Sequence, residues 1–205
     1  GAGRYDPWKL GRGLLAAAEA AGARIVERSP VVSLKSSGAQ VEVVTARGTV
    51  RAGTVVLATG LPRPLVPALQ RHVRVDHTYQ VVTPELPAAL LKALPASVLV
   101  RTGPTAPLTF AVGPRGRVRI QGGDQPAVAA RLQERALVQR TGQLMYELSL
   151  RYPALSGVLP DYAWMAPRVT ARDGLLLAGP HRNFPRHLFA LGLGATGLTG
   201  AFLAA

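Results

Sequence analysis

The feature that most constrains this chain lies near its C-terminus, at His187-Leu-Phe-Ala-Leu-Gly192-Leu-Gly194-Ala-Thr-Gly197-Leu-Thr-Gly-Ala-Phe-Leu. A short apolar run, Leu188 to Leu191, meets a Gly-x-Gly-x-x-Gly turn, and an Ala/Leu segment of helical character follows. Strand, glycine turn and helix in that order suit a phosphate or flavin site. Glycines let the backbone approach a ligand closely, and a new helix aims unpaired N–H groups and its positive dipole end at negative charge. Read alone, the motif is a dinucleotide-binding fingerprint. Two features oppose that plain reading: no acidic ribose partner follows about 20 residues on, and the turn closes the chain rather than opening a first βα unit.

A chain of 205 residues can bury a substantial core as one large domain or two small ones. Its hydrophobic content of 48% and charged content of 17% are globular values. It has no cysteine, which excludes disulfides, thiolate catalysis and Cys-based metal sites. No apolar run approaches the ~20 residues of a membrane-spanning helix, and nothing at the start resembles a signal peptide, so a cytoplasmic protein is expected. The net charge of +13 raises nucleic-acid binding. However, the arginines are spread singly from Arg4 to Arg186, with Arg115, Arg117 and Arg119 the densest group, a pattern expected on the solvated side of a hairpin.

Taken in order, Asp6-Pro7 is a helix start, an N-cap acceptor followed by proline at the first helical position. Leu10, Leu14, Ala17, Ala18 and Ala21 recur at helical spacing, and Gly22 closes the helix. Short strands are expected at Ala23 to Glu27 and Val31 to Leu34. Val41 to Val44 and Thr49 to Ala52 continue as an antiparallel meander turning at Arg47-Gly48. Thr54 to Gly60 reads as a strand buried on both faces. Three prolines between Pro62 and Pro67 mark a crossover to a second domain. Strands are expected there at Arg74–Thr83, Ser97–Arg101, Leu108–Val112 and Arg117–Gln121, the last two joined by a turn at Gly113–Gly116. A helix over Pro126–Leu150 follows, with Val128, Leu132, Leu137, Leu144 and Leu148 as its buried stripe, and Tyr152-Pro153 ends it. A strand at Tyr162–Val169, a turn at Asp173-Gly174 and a strand at Leu175–Gly179 complete the series. The fold class is α/β with mixed α+β character: a partial Rossmann-like domain with an inserted antiparallel-sheet domain. The expected division is 1–62 and 172–205 for the first, and 63–171 for the second.

Four segments in this order resemble the D-amino-acid-oxidase-like family of FAD-dependent oxidoreductases, which includes glycine oxidase, sarcosine oxidase and related amine oxidases. They are Asp6-Pro7 through Gly22-Ala23 with Val31 and Leu34 beyond; Val55-Val-Leu-Ala-Thr-Gly60; Trp164-Met-Ala-Pro-Arg168 with Asp173-Gly174 and Ala178-Gly179-Pro180; and Gly192-Leu-Gly194-Ala-Thr-Gly197. The resemblance implies FAD as cofactor and an amino acid or related amine as substrate, oxidised at its C–N bond by hydride transfer to flavin. It places Val31 at the adenine end of FAD, and Ala58, Thr59 and Gly60 beside the ADP portion. By the same resemblance, Gly192, Leu193, Gly194, Ala195, Thr196, Gly197 and Leu198 would lie against the flavin ring, and Arg168 would grip the substrate carboxylate. The family's opening strand–Gly-x-Gly-x-x-Gly–helix, which cradles the pyrophosphate, is not among these residues, nor is its ribose-binding acid. The chain therefore reads as a fragment short of FAD-binding parts, to be completed by an N-terminal half or a partner chain. Leu176 replaces a common proline, and Phe110 stands where a tyrosine often marks the active-site strand.

Other candidates carry less. Tyr79 and Tyr162 fit strand tyrosines with satisfied hydroxyls. His72, His77, His181 and His187 have no metal-ligand spacing, so no metal is expected. A nicotinamide-dependent dehydrogenase using the C-terminal turn and a non-enzymatic basic nucleic-acid-binding module are the alternatives.

Overall fold

The computed structural model describes residues 6–92, 94, 100–101, 108–194 and 197–205. By internal contacts the chain divides into two compact units, residues 1–55 with 182–187, and residues 56–181 with 188–205.

In the first unit, helix α1 (Pro7–Ala20) starts as its sequence requires: the Asp6 carboxylate accepts hydrogen bonds from the Trp8 and Lys9 backbone N–H groups. It ends at Ala21, with Gly22 at φ +92° supplying the left-handed turn. The apolar stripe is present, yet none of its residues is buried. Strands β1 (Val31–Ser37), β2 (Gln40–Thr45) and β3 (Gly48–Ala52) form the expected antiparallel meander, in which Val41 is the fully buried residue. Residues 23–27 are not a strand. Arg24-Ile25-Val26 has strand propensity, but it pairs with no strand among the described residues.

Strand β4 (Val55–Gly60) leads into a 3₁₀ turn at Pro67–His72 and then the long strand β5 (Val73–Val82). The short helix α2 (Ala88–Leu91), strands β6 (Val100–Arg101), β7 (Thr109–Val112) and β8 (Val118–Pro126), and helix α3 (Gln133–Arg151) follow. Strands β9 (Tyr162–Ala171), β10 (Leu177–His181) and β11 (Phe184–Leu191) then lead to helix α4 (Gly197–Ala204). The largest sheet is five-stranded, in the order β6-β7-β8-β5-β9, and its strand pairs are antiparallel. Of the strand expected over Ser97–Arg101, residues 97–99 lie outside the described residues. A smaller sheet has the order β10-β11-β4.

Three expectations are corrected. β4 is not buried on both faces: it forms one edge of its sheet, and Val56 is 63% exposed beside the buried Leu57. α3 begins at Gln133 rather than near Pro126, because β8 runs through Pro126, which lies opposite Asp76 of β5. Its buried stripe is Ala136, Leu144 and Leu148, while Leu132 is exposed. These residues pack with Tyr79, Val81, Phe110, Val118 and Ile120 into the main core, between α3 and one face of the five-stranded sheet.

Candidate functional site

Register and alternation decide which side chains face α3 and which face away. Antiparallel partners share a face, and successive residues alternate. Tyr79, Val81, Ile120, Ala163 and Met165 belong to the core under α3. Their neighbours therefore form the helix-free face. Gln80 lies between Trp164 of β9 and Gln121 of β8, and Thr109 of β7 continues that row. One step along, Thr78 pairs with Ala166, and Asp76 with Arg168. Towards the end of the sheet where β9 finishes, the face becomes a row of alternating charges. Arg74 Nη2 lies 2.6 Å from Asp76 Oδ2, and Arg168 Nη2 lies 2.7 Å from Asp124 Oδ2.

Asp124 reaches this face because β8 is irregular. Gly122 stands opposite Tyr79, but Gln125, three residues on, stands opposite His77, only two residues from Tyr79. One extra residue is accommodated here, with Gly123 at φ +64°. A bulge of this kind re-aims the side chains that follow it. It turns Gln125 towards α3, where its amide nitrogen donates to the Tyr79 hydroxyl at 2.7 Å and its carbonyl accepts from Arg140 Nη2 at 2.7 Å. The Tyr79 hydroxyl is thus satisfied, within a side chain fully buried in the core rather than at a pocket. Asp124, adjacent to Gln125, faces the other way. Its pairing with Arg168 is a one-point contact: Asp124 Oδ1 and Arg168 Nε are both buried and without a hydrogen-bond partner. The reading of the sequence missed Asp124 altogether. Its signal was the glycine pair inside an otherwise apolar–polar strand.

The C-terminal glycine turn meets the same strand. Leu193 forms an isolated antiparallel bridge with Thr170, on the edge of β9 that β5 leaves open. Gly192 has φ +70° and Gly194 φ +54°, both in the left-handed region. A Cβ on Gly192 would lie 3.2 Å from the Ala171 backbone nitrogen, and one on Gly194 would lie 2.9 Å from Thr170 Cγ2. Only a turn without side chains at these two positions can sit this close, two to three residues along β9 from Arg168. At Gly197, where α4 begins, the space a Cβ would fill is open. Ala195 and Thr196 lie outside the described residues, and Leu198 is exposed in the first turn of α4.

The other predicted positions fall on two strands. Val31 opens β1 in the first unit. Ala58 and Thr59 are exposed at the end of β4, where the Thr59 hydroxyl donates to the Leu61 carbonyl at 2.8 Å. Gly60 follows at φ +73°, with open space where a Cβ would stand. Within the second unit, the structure thus brings Arg168, Gly192, Leu193 and Gly194 together and adds Asp124 to them.

The whole chain, residues 1–205, matches the family described as FAD dependent oxidoreductase (DAO). No curated protein matches it. Among solved structures it is similar to glycine oxidase from Geobacillus kaustophilus, with a TM-score of 0.69 and 22% identity over 95% of this chain and 52% of that one. It is also similar to L-proline dehydrogenase from P. horikoshii, with a TM-score of 0.71 and 16% identity over 96% and 52%. Iminodiacetate oxidase from Chelativorans sp. BNC1 gives a TM-score of 0.67 and 19% identity over 95% and 51%. The chain spans about half the length of these proteins, and at such identities the likeness is one of fold. The family match names flavin as the cofactor where the glycine turn alone left nicotinamide open. The chain belongs to the family of FAD-dependent oxidoreductases.

Proposed function

We propose that the protein carrying these residues oxidises the C–N bond of an amino acid or related amine, with FAD as the electron acceptor. The observation that carries this reading is the meeting of Arg168 with the Gly192–Gly194 turn on one strand, β9. There, the Arg168 guanidinium and a glycine-rich turn packed against the strand stand within a few residues of each other.

The residues present fit the ring end of a flavin. Gly192 and Gly194 let the backbone of the turn lie directly against β9, and space is open at Gly197, where α4 begins. When bound, FAD supplies the two-electron oxidising power; the protein supplies position and electrostatics. Gly192 to Leu198 would hold the ring, with the first turn of α4 directing its N–H groups and dipole at negative charge. Ala58, Thr59 and Gly60 would lie beside the ADP portion. Arg168 would orient the substrate, and the row Gln80, Gln121 and Trp164 would floor its pocket. Holding the substrate in a fixed pose removes the entropy cost of alignment from the chemical step.

The pyrophosphate-cradling Gly-x-Gly-x-x-Gly unit of the family is not among the 205 residues, and we take it to be supplied by a further segment or partner chain. The test is to purify the natural polypeptide that contains this chain, and the 205-residue chain by itself. The longer protein is expected to carry flavin that bleaches when an amine is added without oxygen, and the chain alone to carry no stoichiometric flavin. A longer protein without flavin, or with flavin that no amine reduces, would overturn the proposal.

A further inference from the structure

Arg168 does not stand free to receive a carboxylate, because the protein has already placed one against it. Asp124 Oδ2 lies 2.7 Å from Arg168 Nη2. A guanidinium grips a carboxylate through two parallel N–H groups, either Nε with Nη2 or Nη1 with Nη2. Both forks include Nη2, the atom Asp124 holds. The Nε fork is closed in a second way, since Nε is buried with no partner. An incoming carboxylate would therefore share Nη2 with a negative oxygen already in contact with it.

Among the described residues, the neighbouring charges do not relieve this conflict. Asp76, opposite Arg168 in the sheet, is buried and paired with Arg74, so Arg74 is no spare counter-charge. Summed over the row, Arg74, Asp76, Arg168 and Asp124 carry no net charge. Nor is Asp124 there by side-chain mobility: the bulge at Gly122–Gly123 fixes the side of the sheet it occupies.

Resting on the reading of this site as the substrate pocket of a flavin-dependent amine oxidoreductase, we propose that Asp124 determines its specificity. It acts as a built-in carboxylate that competes for Arg168, so the pocket selects amines whose anchored end is neutral and disfavours those ending in a free carboxylate. A neutral carboxamide brings no second negative charge to Nη2. Specificity of this kind comes from repulsion of the wrong ligand as much as from attraction of the right one.

The test needs no flavin. Benzoate and benzamide are titrated into the 205-residue chain by ligand-observed NMR, for the native protein, Asp124→Asn and Asp124→Thr. Asp124→Asn keeps the shape and removes the charge, and Asp124→Thr guards against an effect peculiar to the amide. Benzoate is expected to bind roughly tenfold tighter to both variants than to the native chain, with benzamide changed much less. Adding Arg168→Gln should abolish the gain. Benzoate binding unchanged or weakened in both variants, or a gain that survives Arg168→Gln, would overturn the proposal. In the natural flavin-carrying polypeptide, the ratio of kcat/KM for glycinamide over glycine should fall in Asp124→Asn, mainly through KM for glycine. A flavoprotein that oxidises amines with an unchanged ratio would refute the role of Asp124 and leave the oxidoreductase reading standing; absence of amine oxidation in every form would refute that reading instead.

Discussion

Thr170 and Gly194 stand so close that a β-carbon on the glycine would lie 2.9 Å from the threonine's Cγ2, closer than real Cβ contacts come. The backbone there is also left-handed, at φ +54°. The substitution Gly194→Ala therefore has two costs, backbone strain and a methyl–methyl collision, and should destabilise the protein by at least ~2 kcal/mol. Thr170→Ser removes the Cγ2 atom. Denaturant unfolding of the double variant Gly194→Ala/Thr170→Ser should recover the collision part and leave the strain; no recovery would mean that the turn is not held against β9 in this way.

Gly123 offers the contrast. Its φ is also left-handed, but a Cβ there would lie 3.5 Å from Arg140 Cδ, an ordinary contact with a flexible side chain. Gly123→Ala should cost only the backbone term, about 1 kcal/mol. Measured side by side, Gly194→Ala should be the more damaging of the two.

The ion pair at the site is partly sheltered, its side chains 29% and 21% exposed for Arg168 and Asp124. Arg168→Met leaves a carboxylate without its counter-charge and is expected to destabilise by about 1–3 kcal/mol. Replacing both partners, Arg168→Met with Asp124→Leu, should cost less than the sum of the single changes. A double-mutant cycle in urea checks this, and strict additivity would show that the two side chains do not interact in solution.

In the core, Leu148 is completely buried on α3, whereas Leu14 on α1 is 59% exposed. Leu148→Ala should lose about 2–5 kcal/mol through lost burial and a cavity. Leu14→Ala should stay within about 0.5 kcal/mol. Comparable effects at the two positions, read from denaturation midpoints, would contradict the burial described for α1.

What could be read from the sequence was what local chemistry decides. Asp6 caps α1 and Gly22 ends it because each acts on the backbone within a few residues. The β1–β3 meander announced itself by alternation and short turns. What failed depended on partners distant in sequence. Arg24-Ile25-Val26 looks like a strand and pairs with none among the described residues, and Val55 to Gly60 looks doubly buried and forms a sheet edge. The start of α3 was misplaced because Pro126, a good first helical residue, is taken up by pairing with β5. At the site, the glycine turn and Arg168 were visible from sequence order and family likeness. Asp124 was not, since the side of the sheet it occupies is set by one irregular step in β8.

That step has a consequence for how such a pocket changes. β8 carries two halves of opposite phase, with Gly123 as the boundary between them. Val118 and Ile120 hold the first half to the core, while Gln125 holds the second through Tyr79 and Arg140. Losing Gly123 would remove the extra residue and leave both halves in register, Gly122 opposite Tyr79 and Gln125 opposite His77, with Asp124 still on the helix-free face. Asp124 would cross to the α3 side only if the strand kept all its residues and lost the bulge, one half then giving way to the other. The charge presented to a ligand is thus governed by whether the backbone keeps its extra residue out of the ladder, and not by the side chains that line the pocket alone.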